Sequence, residues 1–185
     1  MSRYRSFCFA VAVLLLVGLL AAAPASAGDR SRPPGYVDGS ALIARAGEDA
    51  LTVEISLHGA LLRAITRADS ELEKMAGGLE SINAVIIDLE NVDSKEKVLQ
   101  VVKEIQSDLR SKGWERLARI QEGSSLINVM LLNDDETIQG LVVLVVDQDE
   151  QQVIFANVAG VLDLAAIERL GEELDIPGLD EFGQR

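Results

Sequence analysis

Four apolar runs crowd the second half of the chain, at 114–120, 126–132, 138–146 and 152–158. The links between them, 121–125, 133–136 and 147–150, are polar and only four or five residues long. A parallel connection needs a crossover of a dozen or more residues, so links this short allow only antiparallel neighbours. The stretch is therefore expected to fold as a four-stranded meander. Leu141-Val-Val-Leu-Val-Val146 is apolar on both faces and is expected to be a covered, central strand. Leu126, Ile127, Val129, Met130, Leu131 and Leu132 make the second run apolar on both sides as well, so a helix or an oligomeric partner must cover its second face.

Upstream the period of the pattern changes repeatedly. Asp38 or Ser40 is placed to cap a short helix bearing Leu42, Ile43 and Ala46, with Gly47 to end it. Residues 51–57 alternate apolar and polar, the signature of a half-buried strand. After His58-Gly59, residues Leu61, Leu62, Ile65 and Ala68 share a helical face, which Leu72, Met75 and Leu79 continue less regularly past a break near Asp69. Residues 82–89 are rich in β-branched side chains and predict a second strand. Asp93 and Glu96 have capping-box spacing ahead of the stripe Val98, Val101, Val102, Ile105 and Leu109, and Gly113 supplies a stop. Asp163 is placed to cap a last helix with Leu164, Ile167, Leu170 and Leu174. The expected fold is α+β: two N-terminal strands with helices, then the meander, in one largely antiparallel sheet with helices packed on one face.

The first 27 residues read as an export signal. Arg3 and Arg5 precede an apolar run, Pro24 breaks it, and Ala25-Ser26-Ala27 supplies the small residues a signal peptidase needs. The expected organisation is a signal peptide at 1–27, a flexible Pro/Gly leader at 28–35, a single domain at 36–179 and a tail at 180–185. Cys8, the one cysteine, would leave with the signal, so the mature chain is expected to hold its fold without a disulfide and without a lipid anchor. A periplasmic or secreted location follows. With Arg3 and Arg5 gone, 15 basic residues face 30 acidic ones, changing the net charge from −13 to −15. That charge repels phosphate backbones and anionic lipid. Only Tyr36, Trp114, Phe155 and Phe182 remain as aromatics, too few for a base-stacking platform, so nucleic acid is not expected as a partner.

Several segments stand in a recognisable order: Gly35-Tyr-Val-Asp38, Val53-Glu-Ile-Ser-Leu57 leading into Leu61-Leu62-Arg63, and Lys112-Gly-Trp-Glu115. Ile138-Gln-Gly-Leu-Val-Val-Leu-Val-Val-Asp147, Phe155-Ala-Asn-Val-Ala-Gly160 and Leu174-Asp-Ile-Pro-Gly-Leu179 follow. From about Gly35 to Leu179 the chain resembles the bacterial, exported domain of unknown function 4252 family. The resemblance implies the fold above, export, and a link to envelope signalling, and it brings no catalytic residues. Many members carry a lipid-acceptor cysteine at the mature start, which this chain lacks.

No residue set reaches the level of a catalytic, cofactor-binding or metal site. His58 is the sole histidine and stands where a strand gives way to a helix; a triad or a zinc site would rest on it alone. Asp134, Asp135 and Glu136, or Asp147, Asp149 and Glu150, have oxygens suited to calcium, but the second cluster lacks the turn glycine and further ligands of a calcium loop. Both read as solvated hairpin tips. Gly77-Gly78 follows a helix and precedes a strand, the reverse of a phosphate loop. Trp114 is read as a packing residue before an interface anchor. The expectation is an exported, non-catalytic module that binds a protein partner, itself or a small ligand; the alternative is a carboxylate-dependent hydrolase or metal-binding enzyme assisted by His58.

Overall fold

The computed structural model describes residues 32–67, 78–134 and 137–162. Its strands are β1 (Leu51–His58), β2 (Leu79–Asp88), β3 (Glu115–Glu122), β4 (Ser125–Asp134), β5 (Thr137–Asp147) and β6 (Gln152–Leu162). Its helices are α1 (Ser40–Ala46), α2 (Gly59–Arg67) and α3 (Lys95–Ser111). The expected signal peptide, residues 28–31 of the leader, the expected helical continuation over 68–77, the expected last helix from Asp163 and the tail lie outside the described residues.

The meander β3–β4–β5–β6 forms as the short links require, and every pairing is antiparallel. Strand β6 then pairs with β2, and β2 with β1, giving one six-stranded sheet in the order β1-β2-β6-β5-β4-β3. The α+β fold expected from the sequence is the observed one.

Period-two alternation assigns one set of side chains to the helical side of the sheet. Val85, Ile87, Met130, Val142, Leu144, Val153 and Phe155 from the strands join Leu42 and Ala46 of α1 and Val98, Val101, Val102 and Leu109 of α3 in one core. Phe155 is fully buried at its centre. The two-sided character of β4 and β5 is also real. Met130 and Val142 are buried on the helical side, and Val129 and Val145 on the other. Helix α2 lies against β1 and β2, with Leu62 buried.

The ends of α3 are specified locally. The expected Asp93–Glu96 capping box is replaced by a cap one residue later. Ser94 is the N-cap, its Oγ accepts from the Lys97 N–H and donates to Glu96 Oε2 at 3.0 Å. Asp and Ser are equally good caps, and spacing alone does not choose between adjacent ones. At the other end Gly113, with φ +87°, donates to the Arg110 carbonyl, and the Trp114 N–H reaches back to Leu109. This is a Schellman closure, completed by burial of Trp114 beside Leu109. Ser94→Ala is expected to cost about 1 kcal/mol in urea unfolding. Bonding by its own backbone N–H, then by the Ser94 hydroxyl, holds the exposed Glu96 carboxyl below its usual range. A depressed carboxylate stabilises the fold above its unfolded pKa and loses that contribution as pH falls through the folded value. Glu96→Gln should therefore lower the melting temperature at neutral pH and flatten its fall into acid.

Before α1 the chain crosses the sheet as a short arm. Gly35, with φ +79°, lies so close to β5 that a Cβ on it would stand 2.0 Å from the Gln139 carbonyl oxygen. Gly140 makes the reciprocal approach: a Cβ added there would stand 2.7 Å from Gly35 Cα and 2.8 Å from the Trp114 ring. Only a glycine at each position lets the two backbones touch. Asn157 of β6 fastens the arm. Its Nδ2 donates to the carbonyls of Gly35 (2.9 Å) and Leu141 (3.1 Å), and its Oδ1 accepts from the Val37 N–H at 2.9 Å.

Candidate functional site

The helical side of the sheet changes character from one row of paired residues to the next. The row Glu54, Val85, Phe155, Leu144 is apolar from β2 to β5 and meets the buried Asn128 on β4. The adjoining row Ser56, Asn83, Asn157 is polar, and the next begins His58, Ser81. The arm carries Tyr36 onto this polar end, its ring centroid 5.9 Å from that of His58 at a tilt of 44°. Between arm, α1 and the paired strands β1 and β2 lies a cleft of about 80 Å³, lined by Tyr36, Asp38, Gly39, Ser40, Ile43, Glu54, Ile55, Ser56, Asn83 and Val85.

Hydrogen bonds run along the cleft wall. His58 Nε2 is 2.7 Å from Ser56 Oγ, and the Ser56 hydroxyl donates to Asn83 Oδ1 at 3.2 Å. If the hydroxyl proton goes to Asn83, the His58 bond has to run from Nε2–H to Ser56 Oγ. Asn83 is only 6% exposed, yet its Nδ2 has no hydrogen-bond partner among the described residues, and neither does the Oγ of the fully buried Ser81. Two unpaired polar atoms two residues apart on one strand are unusual, since buried polar groups are nearly always satisfied. The cleft rim is acidic. Glu54 is exposed, Asp38 Oδ1 accepts from the Ser40 N–H at 2.9 Å, and no lysine or arginine is among the lining residues.

Other residues singled out by sequence have structural work. Asp147 is 3% exposed, and its Oδ1 accepts from the N–H groups of Asp149 and Glu150, both at 2.9 Å. It builds the β5–β6 turn. At the end of β4, Asp134 takes a bond from Gln139 Nε2 at 3.0 Å; Asp135 and Glu136 lie outside the described residues. Among the described residues no three His, Cys, Asp or Glu side chains gather as a metal set would. Trp114 is buried, as a packing residue should be. Gly78 accepts a backbone bond from Val161, and a Cβ there would strike the Val161 carbonyl at 2.2 Å; close strand approach explains it. Gly77 lies outside the described residues.

A family model described as a domain of unknown function, DUF4252, matches residues 47–170. The chain belongs to the DUF4252 family. The match takes in all six strands of the DUF4252 domain, with Glu54, Ser56, His58, Ser81, Asn83 and Asn157, while Tyr36 and Asp38 of the arm precede it. Comparison with curated proteins finds no match.

Sequence reasoning singled out His58 but overlooked its surroundings. The signal was there: Asn83 and Asn157 are polar residues at core-facing positions of otherwise apolar strands, and Ser56 and His58, two apart, share a strand face.

Proposed function

We propose that this DUF4252 protein is an exported, non-catalytic interaction module of the bacterial cell envelope, and that it binds through the polar cleft at the β1–β2 end of the sheet. The observation that carries this reading is the buried Asn83 side chain, whose amide nitrogen has no partner among the described residues while its oxygen is held by Ser56. An unpaired buried donor costs about 1–3 kcal/mol, and a ligand's acceptor would recover that cost. The arm fixed by Asn157 supports the reading, because it sets Tyr36 rigidly over the site. Export rests on the three-part signal at 1–27.

The test is site-specific photocrosslinking in cells. A benzoylphenylalanine in place of Ser40, at the cleft, is expected to give a discrete adduct, and one in place of Arg110, on the exposed side of α3, is not. Adducts of equal yield from both positions, or none from Ser40, would count against the cleft.

A hydrolase assisted by His58 is the second reading, favoured by the 2.7 Å contact of Ser56 with His58 and by Asp38 and Glu54 nearby. A fluorophosphonate probe that labels the chain, and fails on Ser56→Ala, would put this reading first.

A further inference from the structure

The sheet has two outer strands, β1 and β3, and they are built differently. An outer strand presents a row of unpaired N–H and C=O groups, and proteins blunt such edges with charge and bulges. Strand β3 is blunted. It carries Glu115, Arg116, Arg119 and Glu122, and its register breaks between Arg116 and Ala118, near its middle. Strand β1 is not. Its one irregularity lies at its start, between Leu51 and Val53, and from Val53 to His58 it pairs regularly with β2. Glu54 is its only charged residue. Its two faces alternate strictly: Val53, Ile55 and Leu57 are half-buried, while Glu54, Ser56 and His58 are exposed beside the cleft. Among the described residues no strand pairs with its outer side.

We propose that β1 accepts an extended segment of a partner protein as a seventh strand, and that this segment places a lysine or arginine beside Glu54. The proposal rests on the binding-module reading and names the partner's chemistry. A strand added here makes backbone bonds along residues 53–58 and sets its side chains 4.5–5.5 Å from those directly opposite. Positions facing Val53, Ile55 and Leu57 must be apolar, and those facing Glu54, Ser56 and His58 polar. The segment must therefore alternate. Its charge follows from Glu54 and Asp38 in the adjoining cleft and from the net charge of −13, which draws a basic segment in. A second copy of the chain fits poorly, since two such bodies repel and β1 offers no lysine or arginine to Glu54.

Fluorescence polarisation with the full chain and a labelled octapeptide, Thr-Val-Thr-Val-Lys-Val-Thr-Val, tests this. The lysine peptide is expected to bind about tenfold tighter than its glutamate counterpart, and Glu54→Lys should reverse that order. N-methylation of the peptide amides along one edge should abolish binding, and hydrogen exchange should show new protection within 51–58. No binding of the lysine peptide, equal affinity for both charges, unimpaired binding after N-methylation, or protection on β3 would each overturn strand addition. A self-associated chain on sizing, with β1 protected before any peptide is added, would overturn it in favour of a second copy. The Ser40 crosslink is read independently, so loss of the strand proposal leaves the cleft standing, and loss of the Ser40 adduct alone removes the cleft.

Discussion

Replacing Asn157 by Leu is expected to destabilise the domain by about 2–6 kcal/mol, although a similar side-chain volume is kept. The substitution leaves the Val37 N–H and the Gly35 carbonyl without the partners they have now, and each orphaned buried group costs about 1–3 kcal/mol. Urea unfolding monitored by circular dichroism reads the loss. A second signature separates this from a general packing defect: amide exchange should accelerate first at Tyr36 and Val37, because the arm comes off before the sheet opens. The cleft should suffer with it, since Tyr36 is held over His58 by the same bonds. A variant as stable as the parent would show that the arm is not anchored as described.

Phe155→Ala is expected to cost about 3–5 kcal/mol, the usual range for an aromatic removed from a core. Its ring is fully buried and packed beneath the Gly39 backbone that opens α1; a Cβ on Gly39 would stand 2.9 Å from it. At this chain length each kcal/mol is worth about 2–4 °C, so calorimetry should show a fall of roughly 6–20 °C. Phe155→Leu, which keeps most of the volume, should recover more than half of the loss. A fall of under 2 °C for the alanine variant would contradict the core assignment.

Much of this fold was legible in the chain, and for local reasons. The meander followed from links too short for anything but reversal, and β1 from its alternation. Helix α3 followed from a clean stripe, its end from Gly113, and its start was misjudged by one residue because Asp93 and Ser94 are both good caps. What could not be read was long-range. Nothing local says that β6 turns its second edge to β2, a pairing that joins residues some 70 positions apart, such as Asn83 and Asn157. The candidate site depends on that pairing, since the Ser56, Asn83 and Asn157 row does not exist until β1, β2 and β6 lie side by side. His58 drew notice as a lone histidine, and its actual partner was two residues away on the same strand face. Asn157 is one polar residue in an apolar run, and its bonds to an arm about 120 positions earlier lie beyond any periodicity argument.

The order of strands carries a consequence for how the molecule assembles. The last of the six to be synthesised, β6, is flanked by β2 on one side and β5 on the other. Until it arrives, the β1–β2 pair and the early meander are two fragments with raw margins. Closing them is a keystone event that spans most of the sequence, and such distant closures are slow. A nascent chain is thereby kept from premature folding, while any truncation before Gln152 leaves two sticky half-sheets prone to join their neighbours in place of each other.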